Sequence, residues 1–181
     1  MELIEEAALV EAVLLLEVEP VELSVISKVT GLGKDVVRHS LEELSAIYKG
    51  DEHGMEPVKI AGGWTFAPKE HLWNILKDRY GKQREDRLSR AALETLSIIA
   101  YSQPLTRTEV ENIRGVNADG MIRTLKEKNL IRDVGRKDTP GRPVLYGTTK
   151  EFLKVFRLES IADLPKLDEL DEKRFALDGP E

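Results

Sequence analysis

Apolar residues recur at helical intervals in three successive segments at the start of the chain. These segments cover about residues 2–17, a stretch that ends at Gly31, and about residues 34–48. The apolar stripe of the third segment consists of Val37, Leu41, Leu44 and Tyr48. Because residues three or four positions apart lie on one face of an α-helix, the pattern predicts three helices. Glycine readily takes the left-handed conformation that closes a helix, so Gly31 marks the end of the second.

The hydrophobic period changes to two after the third helix. Residues 57–60 (PVKI) and 64–66 (WTF) have the pattern of short strands on either side of Gly62-Gly63. A glycine pair between two such strands is typical of a tight β-hairpin. Three helices followed by a hairpin, with a compact turn between the second and third helices, predict a winged-helix domain. Another small α+β fold with the same element order is the alternative.

The chain repeats this pattern once. Residues 7–43 align without a gap to residues 91–127 and share eight identities in 37 positions. Unrelated sequences would share about two or three. The identical pairs are Ala7/Ala91, Ala8/Ala92, Leu9/Leu93, Pro20/Pro104, Gly31/Gly115, Asp35/Asp119, Leu41/Leu125 and Glu43/Glu127. Two domains of one fold in tandem are the simplest explanation, because the period is too long for a solenoid repeat.

The second copy carries the same predicted elements. Helices are expected over about residues 89–101, up to Gly115, and over about residues 118–129 with Asn117 as N-cap. Thr106 and Glu109 have the spacing of a capping box, which marks the start of the middle helix. Strands over residues 130–134 and 143–146 flank a long polar tip. The predicted fold class is therefore mainly α (α+β), with two tandem winged-helix (winged helix-turn-helix) domains.

Four segments follow from this pattern. We expect an amino-terminal winged-helix domain over residues 1–80, a linker over 81–88, a carboxy-terminal winged-helix domain over 89–160 and a tail over 161–181. Residues 81–87 (GKQREDR) contain no apolar residue, which suits a linker between domains that swing. In the tail, we expect residues 163–167 (DLPKL) to pack on the second domain. The acidic residues 168–181 are expected to be disordered.

The first helix is more apolar than one buried face requires. From Leu3 to Leu16, 11 of 14 residues are apolar, and the stripe that begins with glutamates continues through Leu9, Val13 and Leu16. A helix that is apolar all round must be covered on more than one side, by its own domain or by another subunit. We favour the second option and predict a homodimer whose interface includes Leu9, Val13 and Leu16.

Composition and motifs argue against catalysis. The chain has no cysteine, which excludes a disulfide framework and a thiol nucleophile, and its histidines, His39, His53 and His71, are too dispersed for a zinc site. Neither a Gly-x-Ser-x-Gly elbow nor a phosphate-binding glycine loop occurs. The apolar runs are far shorter than a membrane span of about 20 residues, and the acidic start does not resemble a signal peptide. We expect no enzyme activity, cofactor, metal or membrane insertion.

The net charge of −6 is unevenly distributed. Residues 1–80 carry 8 Lys and Arg against 15 Asp and Glu, a balance of −7, whereas residues 81–160 carry 16 against 11, a balance of +5. The predicted wing tip at residues 135–143 (GRKDTPGRP) could bind phosphates or acidic protein residues. Asp35 and Asp119 at the starts of the predicted recognition helices repel phosphate, so sequence-specific DNA recognition is not expected. Weak non-specific DNA contact through the second domain stays an alternative.

Several segments together resemble one family. They are residues 88–101 (LSRAALETLSIIAY), 103–104 (QP), 114–117 (RGVN), 130–131 (LI), 135–143 (GRKDTPGRP) and 146–152 (YGTTKEF). This ordered set resembles the segregation and condensation protein B (ScpB) family, and the similarity extends over about residues 2–167. The resemblance implies a non-enzymatic accessory subunit of the prokaryotic condensin that dimerises through its amino-terminal domain. It further implies binding to the kleisin ScpA, which joins the heads of the SMC ATPase.

The wing of the second domain is the candidate surface for that partner. We expect Arg136, Arg142 and Tyr146 to contact ScpA, with apolar anchors supplying most of the affinity. The implied role is chromosome condensation and segregation during cell division, in the cytoplasm and associated with the nucleoid. The competing hypothesis is a winged-helix DNA-binding regulator, which would show a preferred DNA site and a steep salt dependence.

Overall fold

The computed structural model describes residues 3–80 and 88–166. In the first range, which we call the amino-terminal unit, three helices precede a hairpin and a fourth helix. The elements are α1 (Leu3–Leu16), α2 (Leu23–Thr30), α3 (Lys34–Ile47), β1 (Met55–Ile60), β2 (Gly63–Pro68) and α4 (Glu70–Tyr80). β1 and β2 pair antiparallel, and Val21 forms a single bridge to Trp64 of β2.

The second range, which we call the carboxy-terminal unit, repeats this order with one added short strand. Its elements are α5 (Arg90–Ser102), β3 (Leu105–Thr106), α6 (Arg107–Arg114), α7 (Asp119–Glu127), β4 (Ile131–Arg136), β5 (Val144–Thr148), α8 (Lys150–Val155) and a 3-10 turn (Ile161–Asp163). β5 lies between β3 and β4 in an antiparallel sheet. The hairpin of β4 and β5 is the wing.

Each unit has a hydrophobic core of its own. The first core is built mainly by α1, α2 and α3, with Val10 and Ile26 fully buried. The second is built mainly by α5, α6 and α7, with Ile99 and Val110 fully buried. Three helices and a hairpin around each core confirm the predicted tandem winged-helix fold.

Helix ends with a local sequence signal agree with prediction. Gly31 and Gly115 both adopt a φ of 74°, and each donates its N–H to the carbonyl four residues earlier. Thr106 and Glu109 form the predicted capping box. The Thr106 hydroxyl accepts the Glu109 N–H at 3.3 Å, and the Glu109 carboxylate accepts the Thr106 N–H at 2.8 Å.

The predicted turn of the first hairpin is wrong by one residue. Ala61 and Gly62 form the turn, with φ values of 52° and 78°. A two-residue turn needs positive φ values at both positions if its twist is to match that of the strands. Gly63 instead belongs to β2 and is buried. A Cβ on Gly63 would lie 2.7 Å from the carbonyl carbon of Pro20, so glycine is needed there for close backbone approach.

The prediction that Asn117 occupies the N-cap of α7 is also wrong. Ala118 occupies that position, with α-region dihedral angles and no side-chain cap. The Asn117 side-chain oxygen accepts the Asp119 N–H at 3.0 Å, so it satisfies a donor of the first turn from one residue further out.

Two helices are missing from the predicted element order. α4 and α8 begin at Glu70 and Lys150, in segments that share the pattern KEHL and KEFL with an offset of 81 residues. The start of the tail packs as expected: Leu164 contacts the second core, and the Tyr101 hydroxyl donates to the Pro165 carbonyl at 2.7 Å. The predicted linker residues 81–87 and tail residues 167–181 lie outside the described residues.

Candidate functional site

α1 presents apolar residues on two opposite faces. Its inner face packs against α2, α3 and β2 and consists of the buried residues Ala7, Val10, Val13 and Leu14. Its outer face consists of the exposed residues Ala8, Leu9, Ala12, Leu15 and Leu16. A rotation of 100° per residue places these outer positions in one stripe along the helix. A continuous exposed apolar stripe is typical of a surface that another protein covers.

A groove between α1 and α3 extends this outer face. It has a volume of about 390 Å³, and Ala8, Ala46 and Ile47 contribute to its lining. Ile47 in the groove is 55% exposed and Leu16 on the outer face of α1 is 83% exposed. Both large aliphatic side chains are therefore accessible to solvent. Glu11 and Glu43 also line the groove and place negative charge beside the apolar residues.

The structure separates the three residues predicted for the dimer interface. Leu9 and Leu16 lie on the outer face, but Val13 is only 7% exposed and belongs to the core of its own unit. Val13 therefore packs within its own unit, and its part in a dimer interface stays a prediction. Its direction on the helix differs from that of Leu16 by 60°, which is enough to turn the side chain inward. Sequence reasoning missed Ala8, Ala12 and Leu15, although the same angular argument places them on the outer stripe.

The orientation of α1 is held by a polar contact at its inner edge. The Tyr48 hydroxyl, at the end of α3, donates to the Glu11 carboxylate. That hydrogen bond is the main reason that the pKa of Tyr48 is raised, with burial adding to it. The Tyr48 ring packs on His53 and Phe66 at centroid distances of 4.6 and 4.8 Å. This contact connects α1 to the hairpin and keeps the outer face directed away from the core.

The wing brings two of the predicted partner-binding residues together. Arg136 at the end of β4 donates from Nη1 to the Arg142 carbonyl at 3.1 Å, and both residues are exposed. The Lys137 N–H donates to the Pro143 carbonyl at 2.9 Å, and the Arg142 N–H donates to the Thr139 carbonyl at 2.8 Å. These backbone bonds fold the tip on itself, so the two guanidinium groups are displayed from an organised loop.

Tyr146, the third predicted partner-binding residue, has a different environment. It lies in β5 opposite Asp133 of β4 and is half-buried, because one side of it packs against the core. The Lys126 ammonium lies 5.8 Å from its ring centroid and also pairs with Asp133 at 2.7 Å. The hydrogen bond that Lys126 donates to the Asp133 carboxylate raises the pKa of Lys126. Tyr146 therefore offers a partly covered aromatic surface rather than a fully exposed one.

The tip of the wing is attached to the capping box of α6. Lys137 pairs with the carboxylate of Glu109, which also accepts from the Thr106 N–H and hydroxyl. These contacts, with the Lys137 hydrogen bond the largest, lower the pKa of Glu109 to about 2. Sequence reasoning identified the capping box but not its connection to the wing, because Lys137 is 28 residues from Glu109.

The helix that would read DNA, α7, carries carboxylates that pair with cations of α6 and of α7 itself. Arg107 at the start of α6 pairs with Asp119 at 2.9 Å, and Arg123 pairs with Glu127 at 3.1 Å. Asp119 is the first residue of α7. Carboxylates on this surface repel phosphates, so α7 is poorly suited to a DNA groove.

Two features are absent from residues 3–80 and 88–166. No group of three or more His, Asp or Glu side chains there is arranged to hold a metal ion. None of the helices described is both long and apolar enough to cross a membrane.

One protein-family model matches most of the chain. The model of the family described as "Segregation and condensation complex subunit ScpB" matches residues 8–167. The chain belongs to the ScpB family. The family predicted from the sequence motifs is thus confirmed.

Several curated ScpB proteins are similar to the chain. The "Segregation and condensation protein B" of Clostridium tetani is 40% identical over 92% of this chain and 88% of its own length. That of Oceanobacillus iheyensis is 44% identical over 80% of this chain and 75% of its own length. The Myxococcus xanthus protein is 38% identical over 90% of this chain, which spans only 49% of that longer relative.

Solved ScpB structures are also similar to the chain. ScpB from Mycobacterium tuberculosis is 29% identical, with coverage of 86% of this chain and 97% of that one and a TM-score of 0.42. A dimer of an ScpB amino-terminal domain complexed with an ScpA peptide is 27% identical, with coverage of 42% and 90% and a TM-score of 0.39.

Proposed function

We propose that this chain is a non-enzymatic subunit of the prokaryotic SMC condensin that binds the kleisin ScpA. In this proposal it supports chromosome condensation and segregation during cell division, in the cytoplasm and at the nucleoid, while the SMC subunit hydrolyses ATP. The observation that carries the proposal is the family match over residues 8–167, together with relatives named Segregation and condensation protein B.

Residues 1–80 serve as the dimerisation domain in this proposal, followed by a linker at 81–88, a partner-binding domain at 89–160 and a tail at 161–181. The outer face of α1 supports the homodimer, because a two-fold axis lets two copies of this apolar stripe cover each other. Ala8 and Ala12 at the centre of the stripe allow close approach of two helices. The solved dimer of an ScpB amino-terminal domain is complexed with an ScpA peptide.

The wing contributes to the capture of ScpA in this proposal. Arg136 and Arg142 provide charge on an organised loop, and Tyr146 provides an aromatic surface nearby in β5. Charged groups at the rim of an interface chiefly set orientation and association rate, whereas buried apolar anchors supply most of the affinity. ScpA segments with acidic residues next to apolar ones would match this surface.

Co-purification with ScpA tests the proposal. We expect the wild-type chain to capture ScpA and the Arg136→Ala/Arg142→Ala variant to bind it about tenfold more weakly, the loss typical of a modest hot spot. Lys28→Ala/Lys34→Ala removes the same charge from the amino-terminal unit and serves as the matched control. Wild-type affinity of a folded wing variant would remove the two arginines from the interface. Failure of the wild-type chain to bind ScpA would remove the proposed function.

The same preparation separates this function from DNA-binding regulation. A regulator would bind a preferred duplex with an affinity that falls steeply as salt rises. The pairing of Arg107 with Asp119 and of Arg123 with Glu127 leads us to expect neither behaviour. A salt titration with arbitrary and selected duplexes provides the measurement, and a preferred site would favour the regulator.

A further inference from the structure

The two units contact each other through oppositely charged side chains. Lys150 and Lys154 lie one turn apart on α8 of the carboxy-terminal unit. Lys150 pairs with Glu22 at 3.1 Å, and Lys154 pairs with Glu19. Both glutamates lie in the segment that joins α1 to α2. The hydrogen bond that Lys154 donates to Glu19 is the largest of the contacts that raise the pKa of Lys154.

A second set of contacts lies at the hairpin of the amino-terminal unit. The Ala61 N–H in the hairpin turn donates to the Leu158 carbonyl at 2.8 Å, and Lys59 pairs with Glu159. The Arg157 guanidinium lies 5.2 Å from the centroid of the Trp73 ring. The segment just after α8 thus reaches the hairpin and α4.

These contacts are not backed by a continuous apolar interface. A groove of about 730 Å³ lies between the units, lined on one side by Val58 and Trp73 and on the other by Val155 and Phe156. Phe156 remains 41% exposed beside it. The side chains of the ion pairs are themselves partly exposed, between 31% and 72%. Attraction between the units therefore depends largely on charge.

The overall charges of the two halves act in the same direction. Residues 1–80 have a balance of −7 and residues 81–160 a balance of +5. Opposite net charges attract over distances of about the Debye length, roughly 10 Å at 0.1 M salt, before individual pairs form.

We propose that the ion pairs Lys59–Glu159, Lys150–Glu22 and Lys154–Glu19 form an electrostatic latch that holds the two units closed and opens reversibly when charge is screened or competed for. Exposed ion pairs are individually weak and sensitive to salt, so a few of them can hold two units together without locking them. The latch concerns the chain alone and does not depend on the proposed binding of ScpA.

Intramolecular FRET in the full chain tests the latch. Because the chain has no cysteine, Lys34→Cys and Asp138→Cys place one label on each unit at exposed sites away from the latch. Single-molecule measurement at low concentration keeps the signal within one chain. We expect one closed population in 50 mM NaCl and a shift to lower transfer in 1 M NaCl, where the Debye length falls to about 3 Å.

Charge reversal identifies the pairs. In the labelled chain, Lys150→Glu/Lys154→Glu should lower the closed-to-open ratio in 50 mM NaCl by roughly tenfold, and adding Glu19→Lys/Glu22→Lys should restore it. Arg123→Glu/Arg132→Glu makes the same change in net charge elsewhere on the carboxy-terminal unit and should leave the closed population intact. Circular dichroism checks that every variant is folded.

Three results would overturn the latch. The first is a FRET distribution that changes neither with salt nor with Lys150→Glu/Lys154→Glu. The second is an equal loss of the closed population in the control variant Arg123→Glu/Arg132→Glu. The third is failure of Glu19→Lys/Glu22→Lys to restore closure in the folded Lys150→Glu/Lys154→Glu chain.

Discussion

Gly63 lies where the hairpin packs closely against the segment before α2, and its lack of a side chain allows this contact. The residue follows the hairpin turn, and its strand forms two hydrogen bonds of 2.8 Å between Trp64 and Val21. A Cβ at Gly63 would lie 2.7 Å from the Pro20 carbonyl carbon and 2.8 Å from its oxygen. These backbone atoms cannot move aside as a flexible side chain could. Glycine at this position therefore joins the hairpin to the segment before α2.

We predict that Gly63→Ala destabilises the amino-terminal unit by about 1–3 kcal/mol, because the added methyl group overpacks a backbone contact. Gly120→Ala is the matched control: it lies within α7 with nothing within 4 Å of a built Cβ. It should stabilise the chain by about 0.5–1 kcal/mol through helix propensity. Urea unfolding followed by circular dichroism measures both. An unchanged unfolding midpoint for Gly63→Ala would contradict the close contact.

At the scale of elements, Glu109 joins a helix start to the wing. Its carboxylate caps α6 through Thr106 and pairs with Lys137 at the beginning of the wing tip. The ionised form makes these contacts, which is why its pKa falls from 4.5 to about 2. A group whose pKa is lower in the folded state stabilises the fold above its unfolded pKa. That stabilisation is lost as the pH falls from about 4.5 towards 2.

We predict that Glu109→Gln is less stable than the wild type near pH 6 and that the difference shrinks and disappears as the pH approaches 2. Urea unfolding at a series of pH values measures this. Lys137→Met is the companion variant, since loss of the ammonium should raise the pKa of Glu109 in a carboxyl NMR titration. Titration of Glu109 in the wild type near its ordinary value of 4.5 would contradict the connection between helix and wing.

At the scale of the whole molecule, the surface of α1 determines the proposed oligomeric state of the protein. Its inner face completes the core of one unit, and its outer face remains apolar and exposed. One buried face would be sufficient for folding. The second face is explained by the symmetric partner that we propose.

We predict that Leu16→Glu gives a folded monomer, because the new charge lies on the outer face, where Leu16 is 83% exposed in one chain. Light scattering should show the mass falling from that of two chains to that of one, 20.4 kDa. Val29→Glu, at an exposed position on α2, is the control and should remain dimeric. Val13→Glu should instead unfold the unit, since burying a carboxylate in the core costs about 3 kcal/mol or more. An unchanged mass for folded Leu16→Glu would rule out dimerisation through this face.

Predictions from the sequence succeeded where neighbouring residues decide the outcome. The closing glycines Gly31 and Gly115 and the Thr106–Glu109 capping box involve residues within one helical turn of each other. The Arg136 and Arg142 side chains were placed on the wing because the charged tip lies between two recognisable strands. The prediction omitted α4 and α8, because the expected fold ended each unit at its hairpin.

Buried Lys69 marks the limit of that reasoning. The residue is only 6% exposed. Its ammonium donates to the carbonyls of Lys49 and Gly50, about twenty positions earlier in the chain. Because lysine is mostly exposed in proteins, the sequence predicts a surface position for this residue. Only the folded chain brings these carbonyls to it, so no local pattern could have identified the contact.

The sequence by itself determined two winged-helix units, their order, their family and the charge of each half, because periodicity, turn residues and motifs are properties of neighbouring positions. The tertiary structure decided that Val13 faces inward, that Gly63 serves close packing rather than the turn, and that α8 pairs with Glu19 and Glu22. These outcomes depend on contacts between segments far apart along the chain, which exist only once the helices and hairpins have packed.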